Sequence, residues 1–289
     1  MAKISHKGQK MDNIYIFGDT HGTHEIDKIF LVDEYEKDDF IIVCGDFGVL
    51  WKDEISPAES RIMNEISKLP CTLLFVDGNH ENFNRLKKLK SVQKFGGVAG
   101  EYIKDKCYHL RRGEIYTLAG KNTFVMGGAL SIDKRFRTPN VSWWADEAIS
   151  DDELMRGVSN LKAFEKDIDL VITHTCPQSF LNFVARFISI SHKQQDANPQ
   201  KLQTLLEVLL DKMGGSKGSG FARLVDTLKG QDKCVEWFFG HWHADFDFEL
   251  PYINAHCVYD LVHKINKNGK RISAALSATT PSLYVGFEC

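Results

Sequence analysis

The sequence predicts an α/β fold, and two observations lead to that prediction. Short apolar or β-branched runs recur along the chain, each too short for a helix and bounded by Gly, Asp or Asn, which is typical of buried strands. These runs are Ile14–Phe17, Ile41–Cys44, Thr72–Val76, Thr123–Met126, Leu170–Thr173 and Trp237–Phe239. Between the early runs lie helical patterns, one around Ile26 and Ile29 and another around Ile62 and Ile66. Strands that alternate with helices are typical of α/β proteins.

The chain from about residue 179 to residue 230 has a different pattern from the rest. Apolar residues at helical spacing predict one amphipathic helix over Leu202–Met213 and another over Phe180–Phe187. The glycines between Gly214 and Gly220 predict a flexible loop after Met213. We interpret residues 1–289 as a single domain with a helical insertion at about 179–230. We expect the insertion to pack against the main core, with a substrate-covering lid or an oligomer contact as alternatives.

The composition is that of a globular protein with no bias towards nucleic acid or membrane. Hydrophobic residues make up 43% of the chain and charged residues 26%, which is ordinary. The formal net charge of −3 provides no general basic field, so nucleic acid is not indicated as a partner, although a nucleotide substrate is compatible with it. No run approaches the roughly 20 apolar residues of a membrane span.

The cysteines and the first residues of the chain bear on its compartment. Seven cysteines are scattered without a CxxC pair, which is typical of reduced, mostly buried thiols in the cytosol. The stretch from Met1 to Asn13 is polar and contains no apolar core of the kind a signal peptide needs. We therefore predict a cytoplasmic protein without a membrane partner. The sequence leaves its oligomeric state open.

Polar residues that can bind metal ions are concentrated in five short blocks. The blocks are Gly18–Gly22, Gly45–Gly48, Gly78–Glu81, Thr173–His174 and Gly240–His243, and each follows or closes a predicted strand. Strand ends can hold side chains rigidly, and the blocks together offer two carboxylates, one amide and four imidazoles, besides His80. Oxygen and imidazole donors in one place suit two adjacent divalent ions, and two-metal sites suit phosphoester hydrolysis.

The candidate metal ligands are Asp19, His21, Asp46, Asn79, His174, His241 and His243. Asp46 is the natural bridge, because its two carboxylate oxygens can each take one ion. Asp19 and His21 are two residues apart at one strand exit, so their side chains are expected to point the same way. His241 and His243 repeat this spacing. Any single block is weak evidence, and the prediction rests on the complete set.

The order GD-x-HG, GD-x-G, GNH-E, TH and GH-x-H resembles the calcineurin-like metallophosphoesterase superfamily, from about Ile14 to His243. The resemblance implies a four-layer α/β/β/α sandwich in which two central mixed sheets are flanked by helices. It also implies a dinuclear site at the strand ends. The expected activity is hydrolysis of phosphomonoesters or phosphodiesters by a metal-bridging hydroxide.

The resemblance also implies how the site residues divide their roles. One ion would be held by Asp19, His21, Asp46 and His243, and the other by Asp46, Asn79, His174 and His241. His80 would not be a ligand but the general acid that protonates the leaving oxygen, and imidazole chemistry agrees with this role. The alternative is that His80 only orients Asn79 through a hydrogen bond. Mn²⁺ is the expected metal, with Fe or Zn²⁺ as alternatives.

The second block departs from the serine/threonine protein phosphatases of this superfamily, which resemble GD-x-x-DRG there. Their extra Asp would fall on Val49 and their phosphate-binding Arg on Leu50, so the sequence argues against that branch. Other groups would then have to recognise the substrate, a phosphorylated small molecule or a nucleotide. We predict Arg137 for the phosphate and Trp143 for stacking on a base. The alternative is an exposed loop with tryptophan packed beneath it.

Two other functions are compatible with the sequence. A nuclease of the same superfamily would need a broad basic groove, against which the net charge argues mildly. A non-catalytic metal-binding scaffold could keep the fold, but such scaffolds tend to lose ligands or the acid histidine. Every ligand position and His80 are filled here, so catalysis is the favoured hypothesis.

Overall fold

The structure is a computed structural model that describes residues 12–131, 133–191, 218–229, 231, 233–266 and 268–275. Its strands are β1 Ile14–Phe17, β2 Phe40–Val43, β3 Thr72–Phe75, β4 Lys90–Lys94, β5 Gly97–Ile103, β6 Cys107–Leu110, β7 Ile115–Leu118, β8 Lys121–Met126, β9 Leu170–Thr173, β10 Val235–Phe239, β11 Phe246–Leu250, β12 Ile253–Cys257, β13 Leu261–Ile265 and β14 Arg271–Ala275. Its α-helices are α1 Asp27–Phe30, α2 Pro57–Lys68, α3 Phe83–Leu86, α4 Asp151–Ala163, α5 Leu181–Ser191 and α6 Gly218–Leu228.

Within the described residues, the strands form two mixed sheets. The first has the spatial order β14-β13-β1-β2-β3-β6-β5-β4, and the second has the order β11-β12-β10-β9-β8-β7. The central strands of each sheet run parallel, namely β1, β2, β3 and β6 in the first and β8, β9, β10 and β12 in the second. The prediction of an α/β fold with two mixed sheets is confirmed. Parallel strands end at the same edge of a sheet, which is where α/β proteins bind ligands.

Side-chain alternation along the strands explains the layers. In β1, Ile14 and Ile16 belong to a buried cluster shared by both sheets, whereas Tyr15 and Phe17 face the opposite side together with Ile62 of α2. The outer face of the second sheet is covered by apolar residues of α4, α5 and α6. Burying one such side chain contributes about 1.5–3 kcal/mol. Helix, sheet, sheet and helices therefore stack in the four layers that the family resemblance implied.

The described part of the helical insertion packs against the second sheet. Phe180 and Val184 are fully buried, and Phe183 stacks on Phe248 of β11 with ring centroids 4.4 Å apart. This contact confirms the expectation that the Phe180–Phe187 stripe faces the core. The predicted helix over 202–213 lies outside the described residues, and the single-domain assignment stays a prediction.

One expectation about the insertion was wrong. Gly218 and Gly220 do not belong to a loop but to the first turn of α6. Glycine destabilises a helix by about 1 kcal/mol relative to alanine. Two side chains from the rest of α6, Phe221 and Leu224, are buried in the cluster on the second sheet, and this burial outweighs the glycine penalty.

The described cysteines are all free thiols, and of these only Cys234 is exposed. Among the described residues, the structure contains no helix whose length and apolar character would let it cross a membrane.

Candidate metal centre

The strand ends bring the predicted ligands to one place. Asp19, Asp46 and Asn79 follow β1, β2 and β3, which are parallel neighbours in the first sheet. His174 comes directly after β9, and His241 and His243 follow β10, the neighbour of β9 in the second sheet. The carboxyl ends of both sheets therefore meet here. Four of these residues, Asp19, Asp46, Asn79 and His174, are buried.

The first group of ligand atoms consists of Asp19 Oδ2, His21 Nε2 and His243 Nε2. The two imidazole nitrogens are 3.0 Å apart, and they lie 3.7 Å (His21) and 3.1 Å (His243) from Asp19 Oδ2. Ligands that bind one ion at about 2.0–2.2 Å lie about 3.0–3.6 Å apart. Two of the three distances lie in this range, and the distance from His21 to Asp19 is 3.7 Å. The buried Oδ2 of Asp19 accepts no well-formed hydrogen bond from the described residues, which leaves it available to a cation.

The second group is built around His174. Its Nε2 lies 3.2 Å from Asn79 Oδ1 and 3.3 Å from Asp46 Oδ1. Its Nδ1 lies 2.8 Å from the carbonyl oxygen of Cys44, and a carbonyl can only accept. Nδ1 therefore donates. Burial lowers the pKa of His174, but Asp46 and Asp19 outweigh burial and raise the pKa to about 10, so a metal ion would have to displace a proton from Nε2. The ring of His241 lies 5.0 Å from the ring of His174, and burial together with His174 lowers the pKa of His241 to about 4.

Asp46 connects the two groups. Its Oδ1 faces His174, and its Oδ2 lies 3.9 Å from Nδ1 of His21. Burial alone would raise the pKa of Asp46, but His174, His80 and His21 outweigh burial and hold the pKa well below its usual range. The carboxylate is therefore ionised at neutral pH. Its Oδ1 faces the second group, whereas its Oδ2 faces Nδ1 of His21 and not the Nε2 atom that belongs to the first group.

The backbone is strained at four of the predicted ligands. His21, Asp46, His241 and His243 have φ angles of 43°, 47°, 70° and 48°. Positive φ is uncommon for residues other than glycine and costs about 1–3 kcal/mol at each position. Such strain is concentrated at functional sites, because the surrounding structure must enforce it.

The positive φ angles at His241 and His243 determine where these two side chains point. His241 and His243 do not point the same way, as alternation along an extended strand would require. His243 lies against His21 and His241 against His174, each with ring centroids 5.0 Å apart. The left-handed turn separates the two side chains, so that one ring packs against His21 and the other against His174.

Two glycines of the blocks are required by close contacts. A Cβ atom at Gly78 would collide with Asp46 Oδ1, and one at Gly240 would collide with Asp19 Oδ1. Neither glycine has a positive φ, so close contact and not turn geometry requires them. They allow the backbone to approach the two carboxylates closely.

His80 lies beside the two groups. One of its ring nitrogens is within 4.8 Å of ligand atoms of His21 and Asp46. Its ring stacks on Trp51 with centroids 5.8 Å apart, and its Nε2 lies 2.9 Å from Nη2 of Arg137. A guanidinium only donates hydrogen bonds, so Nε2 accepts and the ring proton is on Nδ1. Burial and the charge of Arg137 lower the pKa of His80, against the effect of Asp46.

The loop after β8 brings Arg137, but not Trp143, to His80. Arg137 is held by Asp133, whose Oδ1 lies 2.8 Å from Nε. Trp143 is half-buried and lies under the ammonium group of Lys134, 4.9 Å from its ring centroid. The tryptophan packed beneath the loop is Trp144, which is 1% exposed. The role of Trp143 in substrate binding stays a prediction.

Sequence reasoning missed two residues that orient Asn79. The Nδ2 of Asn79 donates to Ser131 Oγ at 3.3 Å, and Ser131 Oγ donates to Glu147 Oε2 at 2.8 Å. Glu147 is fully buried and also accepts from the backbone N–H of Ser131. This chain of hydrogen bonds turns the Asn79 oxygen towards His174. No pattern in the sequence marks Ser131 or Glu147.

Comparison with known protein families identifies the family of this chain. The family model described as calcineurin-like phosphoesterase matches residues 13–245. The chain belongs to the calcineurin-like phosphoesterase family. The match covers all five blocks and confirms the resemblance seen from about Ile14 to His243. A search of curated proteins found no match for this chain.

Comparison with solved structures found chains of low similarity to this one. A Staphylococcus aureus protein described as a 5′-nucleotidase is 13% identical, with a TM-score of 0.45, over 96% of this chain and 56% of its own. The phosphopantetheinyl hydrolase PptH of Mycobacterium tuberculosis is 11% identical, with a TM-score of 0.44, over 86% and 90%. The sulfate thiohydrolase SoxB of Thermus thermophilus is 8% identical, with a TM-score of 0.44, over 93% and 57%. This chain thus spans little more than half of the first and third proteins.

Proposed function

We propose that this protein is a phosphoesterase that uses two divalent metal ions to hydrolyse phosphomonoesters or phosphodiesters. The observation that supports this most is the position of Asp46, whose two oxygens face side chains of the two groups, His174 and His21. A two-metal site needs one shared ligand and further ligands on each side, and the seven side chains supply both. Family membership gives the reaction class, phosphoester hydrolysis.

The donor set fits two ions. One would be held by Asp19, His21, Asp46 and His243, and the other by Asp46, Asn79, His174 and His241. We propose Mn²⁺, with Fe or Zn²⁺ as alternatives, because mixed oxygen and imidazole donors accept all three. Bound ions would supply positive charge that activates water and neutralises the phosphoryl oxygens.

The residues around the ions would bind and orient the substrate. Arg137 is the guanidinium next to His80, and a phosphoryl oxygen bound there would accept its hydrogen bonds in place of His80 Nε2. Once released from Arg137, Nε2 of His80 can carry a proton and donate it to the leaving oxygen. We therefore propose Arg137 as the phosphate-binding residue and His80 as the general acid. Trp143 is retained as a candidate for contact with a base.

Replacing His80 tests the general-acid role. We expect His80→Ala to lower kcat by about 10²–10⁴-fold, the range that general acid catalysis contributes. Metal content should stay unchanged, because His80 is not among the proposed ligands. Steady-state kinetics and elemental analysis of the same preparation measure both quantities. Unchanged kcat would exclude this role, and joint loss of kcat and metal would instead indicate that His80 orients Asn79.

The proposed function itself is tested with a substrate panel. The protein is reconstituted with Mn²⁺, Fe²⁺ or Zn²⁺ and assayed with p-nitrophenyl phosphate, its bis ester, 2′,3′-cyclic nucleotides and oligonucleotides. We expect hydrolysis of at least one small ester, and loss of that activity in Asp46→Asn, which also controls for contaminating phosphatases. Cleavage of oligonucleotides alone would support a nuclease. No hydrolysis with any metal would support a non-catalytic scaffold.

A further inference from the structure

A cavity of about 610 Å³ opens next to the proposed metal centre. His21 and His80 form the wall that it shares with that centre. The cavity extends away from them, below Trp51, to the first turns of α2. Its volume lies within the range of about 300–1,000 Å³ that is typical of small-molecule sites. The cavity is therefore large enough to hold an organic group attached to a phosphate.

The walls of this cavity are largely apolar. Val49, Trp51, Ala58 and Ile62 line it away from the two histidines. Val49 stands where the resemblance to protein phosphatases would place an acidic residue, so the cavity has methyl groups at that point instead of a carboxylate. Apolar walls favour an apolar occupant at about 25 cal/mol per Å² of buried surface.

The acidic side chains that face the cavity are already paired. Glu59 accepts two hydrogen bonds of 2.7 Å from the guanidinium of Arg85. Glu25 is paired with Lys28, whose Nζ lies 3.3 Å from Oε2, and it also accepts from the Tyr259 hydroxyl at 2.7 Å. Lys52, which is exposed, has no carboxylate partner among the described residues. An anionic phosphoester would therefore meet no unpaired negative charge from these two carboxylates as it enters.

The position of His80 decides which part of the substrate would occupy the cavity. A general acid must lie within hydrogen-bond reach of the oxygen that leaves. The group attached to that oxygen would therefore lie next to His80. This cavity is a space that the structure shows next to His80, whose side chain lines it together with His21.

We propose that the cavity binds the leaving alcohol of the substrate, and that this alcohol is bulky and apolar, either aromatic or long-chain alkyl. The proposal rests on the phosphoesterase function and on the place of His80 beside the leaving oxygen. Burying a methylene contributes about 0.8 kcal/mol, which corresponds to an approximately fourfold change in kcat/KM. Longer alkyl chains should therefore be better substrates until the cavity is filled.

The test uses alkyl phosphates with methyl, butyl and hexyl groups, together with benzyl phosphate and glycerol 3-phosphate. If the protein hydrolyses only diesters, the symmetrical dialkyl phosphates replace them. Released phosphate or alcohol gives kcat/KM with the metal that supports activity. We expect kcat/KM to rise about threefold to fourfold per methylene from methyl to hexyl. Glycerol 3-phosphate should be no better than the methyl ester, because its leaving group is polar.

Two substitutions in α2 then test whether the cavity causes the dependence of kcat/KM on chain length. Ala58→Phe places a ring in the cavity, and we expect it to lower the hexyl-to-methyl ratio of kcat/KM at least tenfold. Ser60→Phe adds the same ring at an exposed position of the same helix and should leave that ratio as in the parent. Ala58→Leu serves as the smaller filling variant if Ala58→Phe does not fold.

The outcomes distinguish the two proposals. Hydrolysis that is independent of chain length would overturn the leaving-group pocket while leaving the phosphoesterase function intact. An unchanged ratio in a folded Ala58 variant would do the same. No hydrolysis of any ester with any metal, including the whole initial panel, would overturn the phosphoesterase function itself.

Discussion

The orientation of the Asn79 amide shows how the site depends on single residues behind it. An amide can bind a cation only through its oxygen, and the Asn79 oxygen faces His174 because its nitrogen donates to Ser131. Ser131 can accept that bond because its own proton goes to the buried carboxylate of Glu147. Residues that orient a metal ligand in this way often matter nearly as much as the ligand.

Ser131→Ala should therefore weaken metal binding. Without the hydroxyl, the Asn79 nitrogen has no acceptor at this position and the amide can rotate. We expect a 10- to 100-fold loss of affinity for Mn²⁺, measured by titration calorimetry on the apo protein. Ser142→Ala is the matched control in the same loop, because its hydroxyl bonds only to the backbone of Thr138. Equal affinities in the two variants would contradict the role of Ser131.

The contrast between Asn79 and Ser131 shows what the sequence could reveal about the site. Asn79 could be predicted because it stands next to a glycine at the end of an apolar strand. Ser131 and Glu147 could not, because hydrogen bonds between residues distant in sequence leave no local pattern. Arg137 was predicted as a candidate for phosphate, but its contact with His80 depends on how the loop after β8 folds.

At the scale of elements, the N-terminal cap of α4 fixes the end of the loop that follows β8. Ser150 accepts from the backbone N–H of Glu153 at 3.3 Å, and the Glu153 carboxylate accepts from the backbone N–H of Ser150 at 2.8 Å. This capping box satisfies two groups that a helix start would otherwise leave unpaired. The same Glu153 carboxylate accepts from the buried Arg112, which ties the helix start to the interior.

Ser150→Ala should destabilise the protein through this cap. We expect a loss of about 1 kcal/mol in the free energy of unfolding, measured by urea denaturation. Ser159→Ala in the same helix is the control, because its hydroxyl only bonds back to the carbonyl of Met155. Alanine there should be neutral or slightly stabilising. A larger loss for Ser159→Ala than for Ser150→Ala would contradict the assignment of the cap.

The strands that lead to the ligands could be predicted from sequence within a few residues at each end. They are buried on both faces and therefore apolar throughout, as in β1 and β9. The strands β4 and β11 were not predicted. Their exposed positions carry lysine, glutamine or acidic residues, so each lacks a continuous apolar run. Edge strands of this kind are recognised only when their neighbours are known.

At the scale of the whole molecule, a second polar network joins the two sheets. Asp247 and His256 belong to the second sheet, and His263 and Arg271 belong to the first. Arg271 donates to Asp247 at 2.9 Å and lies 3.1 Å from Nδ1 of His263. The Arg271 guanidinium contacts two of the side chains that could bind a metal ion, Asp247 and His263. The cluster is therefore better suited to joining the sheets than to binding a cation.

This network predicts how stability changes with pH. Burial, followed by the charge of His256, lowers the pKa of His263 to about 3, whereas an unfolded histidine titrates near 6.5. Between these values only the unfolded chain takes up the proton, so stability falls as the pH falls. The slope is about 1.4 kcal/mol per pH unit, which amounts to about 3 kcal/mol between pH 6.5 and pH 4.

Urea denaturation of the chelated protein across this pH range measures the effect. We expect His263→Gln to remove this part of the slope, since the amide oxygen can still accept from Arg271 and does not titrate. His24→Gln, which alters an exposed histidine, should leave the slope as in the parent. Parallel pH profiles for the parent and His263→Gln would show that His263 is not responsible.

The facing pair His21 and His243 has a consequence for the protein's lifetime. The two residues are 222 positions apart in the chain, yet their Nε2 atoms lie 3.0 Å from each other. A metal ion held by both would act as a reversible cross-link that closes most of the chain into a ring. Like a disulfide, such a link restricts the unfolded chain more than the folded one. Depriving the cell of the metal would then shorten the lifetime of the protein as well as remove its activity.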